Sequence, residues 1–196
     1  MPGSALFMSK SVCVFAASSM RLSSLYRDEA YKLGQLLAKD GWRLVFGGGD
    51  HGLMGATAKG VHSEGGHVLG VIPERLDQPH IVYTEADEWV VTNDLRDRKT
   101  LMDECSNAFI VLPGGFGTLE EMMETIAMQQ LDFHQKPIAI LNTNGFYDPL
   151  LTFFDQMVKE AFVKEEHLDL FHVVDSPEDA IIAINEYNDP DGIRTE

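Results

Sequence analysis

The sequence predicts an α/β fold, a doubly wound parallel sheet with helices on both faces, and three observations support this prediction. The strongest strand candidate, residues 108–112 (AFIVL), is apolar throughout, which is typical of a strand covered on both sides. Such short apolar runs alternate along the chain with longer segments that have helical periodicity. The length of 196 residues suits one domain with its own core. We therefore expect residues 1–196 to form a single domain, with flexible ends at residues 1–10 and 188–196.

The strands are predicted from short runs rich in β-branched and aromatic residues. The first run is SVCVFA, and the second is WRLVF, which leads into three consecutive glycines. In chain order, the predicted strands are residues 11–16, 42–46, 67–72, 88–91, 108–112, 138–141 and 171–174. Residues 73–87 lack periodicity, so they form either a lid over a site or a plain surface loop.

The helices are predicted from apolar residues three and four positions apart and from their end signals. Such a stripe runs through residues 26–37, and Gly41 follows it as a typical helix stop. In chain order, the predicted helices are residues 22–39, 53–64, 95–105, 119–130 and 149–162. A last helix is opened by residues 176–179 (SPED), which form a capping signature. We expect Met122, Met123 and Ile126 to pack in the core.

The composition excludes several classes of function. The formal net charge of −16 repels polyphosphate backbones, so we expect no nucleic-acid partner, whereas a local basic cluster can still hold one small phosphorylated ligand. No apolar run approaches the roughly 20 residues that span a bilayer, so no membrane partner is expected. Cys13 and Cys105 stand among apolar residues, which indicates buried reduced thiols and a cytoplasmic protein. The histidines show no metal-binding spacing, and we expect neither a metal nor a cofactor.

A glycine-rich segment follows the strongest strand and carries the clearest functional signal. It reads PGGFGTLEE, in which Gly114, Gly115 and Gly117 allow a ligand to approach the backbone closely. A helix begins directly afterwards, and its free N–H groups and dipole favour an anion such as a phosphate. Thr118 and Glu121 also fit a T-x-x-E capping box, which needs no ligand. That alternative explains neither the three glycines nor the carboxylate pair beside them.

A basic segment precedes the same strand. Arg98 shares a helical stripe with Leu101, Met102 and Cys105, so it lies on the buried face of its helix, at the first turn. A cation at that end opposes the helix dipole and calls for a negative partner. That partner is either an internal carboxylate such as those of residues 94 and 97, or a phosphate or reacting carboxylate. Arg96 is expected to point to solvent.

A second glycine-rich segment, residues 47–52 (GGGDHG), lies between a strand and a helix. It matches G-x-G-x-x-G, and Glu74 lies at about the distance expected of a ribose-binding acid. It therefore raises the alternative of an NAD(P)-dependent oxidoreductase, beside the simpler interpretation as a tight turn.

Taken together, the segments GGGDHGLMG, DLRDRK and PGGFGTLEE strongly resemble the Lonely Guy (LOG) family, whose members are often labelled lysine decarboxylases. The resemblance covers roughly residues 11–184. It implies a Rossmann-like nucleotide-binding fold and a homodimer with sites near the interface. It also implies hydrolysis of cytokinin riboside 5′-monophosphates or AMP, a small-molecule nucleotide substrate in either case. The decarboxylase label conflicts with the residues, because a pyridoxal enzyme needs a Schiff-base lysine in a cofactor pocket.

The resemblance also assigns roles to individual residues. The essential arginine falls on Arg98 and the essential glutamate on Glu121, and we expect the arginine to lower the pKa of the glutamate and keep it ionised. The implied substrate-binding residues are Arg98, Lys99, Gly114, Gly115, Phe116, Gly117, Thr118, Leu119 and Glu120. From the residues alone, a nucleotide-binding module without catalysis remains an alternative.

Overall fold

A computed structural model describes residues 10–186, whose strands form one seven-stranded parallel sheet. The sheet order is β4-β3-β2-β1-β5-β6-β7, and every adjacent pair of strands is parallel. The strands are β1 Ser11–Phe15, β2 Arg43–Phe46, β3 Val68–Pro73, β4 Glu88–Thr92, β5 Ala108–Val111, β6 Ile138–Leu141 and β7 His172–Val174. The α/β, doubly wound, Rossmann-like fold predicted from the sequence is confirmed.

Six α-helices and three short 3-10 turns connect these strands within residues 10–186. The helices are α1 Ser24–Lys39, α2 Gly52–Ser63, α3 Leu95–Glu104, α4 Phe116–Gln130, α5 Asp148–Lys159 and α6 Pro177–Glu186. The 3-10 turns are Glu74–Leu76, Thr143–Gly145 and Glu165–Leu170. None of the helices in the described part of the chain is long and apolar enough to cross a membrane. The ends expected to be flexible lie outside the described residues, apart from residue 10.

Two core layers, one on each face of the sheet, explain why the central strands are apolar throughout. Val12 and Val14 of β1 join the core cluster beneath α1, α2 and α6, whereas Cys13 and Phe15 join the cluster beneath α3, α4 and α5. Successive side chains of a strand point to opposite faces, so burial on both faces removes any polar alternation. Full burial of each large side chain contributes roughly 1.5–3 kcal/mol.

The sheet order reverses direction between β1 and β5, and this reversal creates the crevice. From β1 the chain winds outward through β2, β3 and β4, and it then returns to the other side of β1 as β5. The connections at the carboxyl ends of β1 and β5 therefore diverge, as they do at ligand-binding switch points of open α/β sheets.

Helix α4 differs from its prediction in a way that bears on the site. It begins at Phe116 with Gly115 as N-cap, so Thr118 lies inside the first turn and the predicted capping box is wrong. The Thr118 side chain is buried, which leaves it unavailable as an N-terminal cap. Met123 is 37% exposed and therefore not a core residue, in contrast to Met122 and Ile126. The predicted capping of α6 is confirmed, because Ser176 Oγ accepts a hydrogen bond of 3.1 Å from the Asp179 N–H.

Candidate active site

A cleft of about 480 Å³ opens at the carboxyl ends of the central strands, at the crevice that the strand order creates. It combines residues from all three segments singled out in the sequence, together with the loop after β1. Its lining includes Ala16, Ala17, Ser18, Ser19, Gly47, Gly49, Leu76, Ile81, Arg98, Gly115, Phe116, Gly117, Thr118 and Glu121. Of the residues expected to bind substrate, Lys99, Gly114, Leu119 and Glu120 lie outside this lining.

The three glycines of the PGGFG loop differ in what they accommodate. A Cβ on Gly114 would lie 2.1 Å from Thr118 Oγ1, so Gly114 is required by the packing of Thr118 beneath the loop. A Cβ on Gly115 or Gly117 would meet no atom within 4 Å among the described residues. The fold itself therefore does not require glycine at these two positions, and open space remains there for a ligand that contacts the backbone.

The N-terminus of α4 is suited to an anion. The N-cap residue, Gly115, has no side chain that could accept a hydrogen bond. Within residues 10–186, the first N–H groups of the helix therefore lack a side-chain acceptor. These groups and the helix dipole face the cleft between Gly115 and Thr118, where they favour a phosphate.

Arg98 and Glu121 meet at the floor of the cleft. Arg98 Nη2 lies 3.3 Å from Glu121 Oε1, with 13% and 11% of the two side chains exposed. Arg98 Nε also donates a hydrogen bond of 3.1 Å to the Val71 carbonyl oxygen, which fixes the guanidinium from its other side. The negative partner predicted for Arg98 is thus the Glu121 carboxylate on α4. Asp94 instead caps α3 by accepting hydrogen bonds from the backbone N–H groups of residues 96 and 97.

Burial has the largest effect on the pKa of this carboxyl group. Burial raises the pKa of Glu121 above its ordinary value, and the opposing attraction of Arg98 is smaller. Arg98 acts to lower this pKa, as the sequence predicts, but burial outweighs it, so the expectation of a lowered pKa for Glu121 is wrong. A raised pKa makes the ionised carboxylate a stronger base than an exposed glutamate, which suits acid–base chemistry.

Lys99 pairs with carboxylates of α4. Its ammonium group forms ion pairs with Glu120 and, at 2.7 Å, with Glu124, so it joins α3 to the first turns of α4. Burial acts to lower the pKa of Lys99, but these two carboxylates outweigh it and the pKa is raised. A Schiff-base lysine requires the opposite shift, and Lys99 is therefore unsuited to decarboxylase chemistry.

The glycines at residues 47–49 make room for protein side chains. A Cβ on Gly47 would lie 2.0 Å from Arg98 Nη2, and one on Gly48 would lie 2.8 Å from the Trp89 ring. Glu74, the proposed ribose-binding acid, is exposed and opens a short 3-10 turn. Intramolecular packing thus accounts for Gly47, the first glycine of the G-x-G-x-x-G match, and for Gly48 beside it, which favours the tight-turn interpretation over a dinucleotide site.

The segment between β3 and β4, residues 74–87, forms one wall of the cleft. The Tyr83 N–H donates 2.8 Å to the Gly48 carbonyl oxygen, and the Asp50 N–H donates 2.8 Å to the Ile81 carbonyl oxygen. Leu76 and Ile81 face the cleft from this segment. The segment is therefore anchored to the loop after β2 and belongs to the site. The sequence alone did not distinguish a lid over a site from a plain surface loop.

Tyr147 supports the glycine loop from beneath and was not identified from the sequence. Its buried hydroxyl donates a hydrogen bond of 2.8 Å to the Leu112 carbonyl oxygen, just before Pro113. Burial raises the pKa of Tyr147, against a smaller opposing contact from the Gly114 backbone. No local motif marks this tyrosine, because its partners lie on a different strand connection.

The comparison with known sequences agrees with this geometry. A family model described as "Possible lysine decarboxylase" matches residues 54–184. The chain is 42% identical over 177 residues to the probable cytokinin riboside 5′-monophosphate phosphoribohydrolase LOGL2 of Oryza sativa subsp. japonica, covering 90% of this chain and 72% of that protein. It is 44% identical over 162 residues to the cytokinin riboside 5′-monophosphate phosphoribohydrolase LOG5 of Arabidopsis thaliana, covering 83% of this chain and 71% of that protein.

Solved structures share the fold at lower identity. The molybdenum cofactor binding protein of Rippkaea orientalis matches with a TM-score of 0.70 and 24% identity, covering 91% of this chain and 97% of that one. The molybdenum cofactor carrier protein of Chlamydomonas reinhardtii matches with a TM-score of 0.69 and 24% identity, again over 91% and 97%. These similarities establish the fold alone, whereas the sequence matches establish the family. The chain belongs to the LOG family, which its family model describes as possible lysine decarboxylases and whose curated members are named cytokinin riboside 5′-monophosphate phosphoribohydrolases.

Proposed function

We propose that this protein hydrolyses the N-glycosidic bond of cytokinin riboside 5′-monophosphates or AMP, releasing the free base and ribose 5-phosphate. The observation that carries the proposal is the Arg98–Glu121 pair, which lies in the same cleft as the uncapped N-terminus of α4. The names of the relatives support the same reaction.

The 5′-phosphate binds at the N-terminus of α4 in this proposal. Gly115, Phe116, Gly117 and Thr118 line the cleft there, and the open space over the two glycines lets phosphate oxygens reach the backbone N–H groups. Gly114 and Leu119 contribute indirectly, since they hold Thr118 and the first turn in place. Glu120, which is largely exposed, is available to ribose hydroxyls when it exchanges its contact with Lys99 for the sugar.

Glu121 acts on the reacting carbon. When the bond between C1′ and the base breaks, its electron pair leaves with the base nitrogen, which takes up a proton, and positive charge builds on the sugar. The Glu121 carboxylate stabilises that charge and accepts a proton from the water that adds to C1′. Arg98 holds the carboxylate in position through the 3.3 Å contact. Arg98 and Glu121 are thus the two residues assigned to catalysis.

The direct test is to incubate the purified protein with AMP and to separate adenine and ribose 5-phosphate by chromatography. We expect both products in equal amounts, and Glu121→Gln should retain AMP binding while losing turnover. The matched control is Glu124→Gln, which removes a carboxylate one turn further along the same helix, on the Lys99 side. Turnover by Glu121→Gln at the wild-type rate would remove Glu121 from the chemistry. Tight AMP binding without release of adenine would favour a non-catalytic nucleotide-binding module.

We also propose that the protein forms a homodimer through the far end of α4. Met123 on α4 is 37% exposed, and Leu131 and Phe133, which follow the helix, are 65% and 72% exposed. Exposed large apolar side chains that form a patch are typical of an interaction surface. Sedimentation should give the mass of a dimer for the wild type and of a monomer for Phe133→Glu; a wild-type monomer at micromolar concentration would refute this.

The free thiols of Cys13 and Cys105 support a reducing compartment such as the cytoplasm.

A further inference from the structure

A second cavity of about 630 Å³ adjoins the cleft at the carboxyl ends of β3 and β4. We call it the arginine pocket, and its lining includes Pro73, Arg75, Leu76, Asp94, Leu95 and Arg96. Leu76 lines both this pocket and the cleft, and Pro73 directly follows Ile72, which also lines the cleft. The cleft and the arginine pocket are therefore adjacent, and a ligand in the cleft can extend directly into the pocket.

The order of the strands gives the direction in which a nucleotide would extend. The proposed phosphate site follows β5, and Arg98 packs against Gly47 at the end of β2. The arginine pocket lies beyond them, because the order along this edge is β5, β1, β2, β3, β4. The cleft runs from the N-terminus of α4 past the ends of β1 and β2 to Leu76, so a nucleotide with its phosphate on α4 that follows the cleft extends towards this pocket.

The two arginines of the arginine pocket lack salt-bridge partners within the described chain. Among residues 10–186, neither Arg75 nor Arg96 forms a salt bridge within 4 Å, and both are exposed. The carboxylate that lines the pocket, Asp94, is engaged as the N-cap of α3 through backbone hydrogen bonds of 2.7 and 3.0 Å. These bonds are the main reason that the pKa of Asp94 is lowered, and the attraction of Arg96 makes a smaller contribution. Arg96 also lies in the first turn of α3, where the helix dipole disfavours a cation. An anionic ligand group would pair with the two arginines and would offset the unfavourable interaction between Arg96 and the helix dipole.

The pocket also presents apolar surface between its two arginines and the cleft. Leu76 is 40% exposed and Leu95 is 54% exposed, and both contribute to the lining. A fitting ligand group therefore has a short apolar stem that ends in a carboxylate, because guanidinium groups bind carboxylates in a directional manner.

We propose that the arginine pocket is a subsite for a carboxylate-bearing substituent on the leaving base. This inference rests on the proposed nucleotide hydrolysis and extends it to a substrate class, the 5′-monophosphates of adenosines that carry an acidic group on N6. Arg75 and Arg96 bind the carboxylate, and Leu76 packs against the stem.

The test compares three substrates that differ in the N6 substituent. These are AMP, N6-isopentenyl-AMP and N6-(1,2-dicarboxyethyl)-AMP. In the Arg75→Gln/Arg96→Gln double variant, we expect kcat/KM for the dicarboxyethyl substrate to fall about 10- to 100-fold, as befits the loss of charge-assisted hydrogen bonds. The values of kcat/KM for AMP and N6-isopentenyl-AMP should change less than about threefold, since neither substrate presents a carboxylate to the pocket. Thermal unfolding of the variant establishes that it is folded.

The control is Lys159→Gln/Lys164→Gln, which removes two positive charges beside β6 and β7, at the opposite edge of the sheet. It should leave all three substrates unaffected. An equal fall for the isopentenyl and dicarboxyethyl substrates in the arginine variant would overturn the subsite, and so would hydrolysis of AMP without hydrolysis of the dicarboxyethyl substrate.

A binding measurement separates this inference from the proposed function. If the wild type hydrolyses none of the substrates, the proposed function fails, and calorimetric titration of the protein with each nucleotide still tests the pocket. Tighter binding of the dicarboxyethyl nucleotide than of AMP, lost in the arginine variant, supports the subsite. Equal affinities for the two nucleotides, unchanged in that variant, refute it.

Discussion

Gly47→Ala would perturb the catalytic pair without altering either of its members. A Cβ at this position would lie 2.0 Å from Arg98 Nη2 and 3.1 Å from Arg98 Cζ. Gly47 does not have a positive φ, so its backbone accepts alanine without strain. The guanidinium must therefore move, while the loop itself can remain in place.

The distances set the size of the effect. Non-bonded carbon and nitrogen atoms approach to roughly 3.5 Å, so Arg98 Nη2 must shift by about 1.5 Å. Such a shift breaks either the 3.3 Å contact with Glu121 or the 3.1 Å hydrogen bond from Nε to the Val71 carbonyl oxygen. Loss of a hydrogen bond to a charged group costs about 1.5–3 kcal/mol, which corresponds to a decrease in kcat/KM of about 10- to 150-fold. The free energy of unfolding should fall by about 1–3 kcal/mol, because the added methyl group displaces a packed side chain and breaks one of its contacts.

The assay measures kcat/KM for AMP by adenine release, together with the free energy of unfolding in urea. Gly49→Ala is the matched control, since its Cβ would displace only the terminal methyl group of Met54, 2.7 Å away. We expect a large loss of activity for Gly47→Ala and a small one for Gly49→Ala at similar stability. Wild-type activity in a folded Gly47→Ala variant would show that catalysis does not depend on the position of Arg98.

Four further predictions concern the loop, the acid and the tyrosine. Gly115→Ala should lower the free energy of unfolding by no more than about 1 kcal/mol, the cost of alanine at an N-cap, but weaken AMP binding at least about tenfold in calorimetry, because its Cβ enters open space that the phosphate needs; unchanged affinity would contradict a phosphate there. Because burial raises the pKa of Glu121, kcat/KM should rise with pH through an inflection above 4.5, and an inflection at or below that value would argue against Glu121 as the base. A carboxyl group whose pKa is raised by folding destabilises the fold once it ionises, so Glu121→Gln should gain more stability over the wild type at pH 8 than at pH 4 in urea titrations. Tyr147→Phe leaves the Leu112 carbonyl oxygen without this partner and should lower the free energy of unfolding by about 1–3 kcal/mol, whereas a change near zero would show that water replaces the hydroxyl.

The sequence located the strands and the glycine loop because both depend on short-range properties. The AFIVL run predicted β5, since a strand buried on both faces needs apolar residues at every position. Arg98 was placed on the inner face of α3 from its spacing to Met102, which is buried. These inferences involve residues within about two helical turns of one another.

The start of α4 shows where local patterns mislead. Thr118 and Glu121 match a capping box, yet the helix begins three positions earlier than 119 because Thr118 is buried beneath Gly114. Capping requires a threonine side chain that is free to turn back on the helix end. The packing that removes this freedom is not visible in a four-residue motif.

The sequence by itself determined the alternation of strands and helices, the anion-binding loop and the identity of the two residues proposed for catalysis. Only the tertiary structure decided that Arg98 pairs with Glu121 and not with a carboxylate of its own helix, and that burial outweighs this arginine in setting the pKa of Glu121. It also brought Tyr147 beneath the loop and made the segment before β4 a wall of the cleft. Each of these outcomes depends on contacts between distant parts of the chain and on the exclusion of water, neither of which leaves a periodic trace in the sequence.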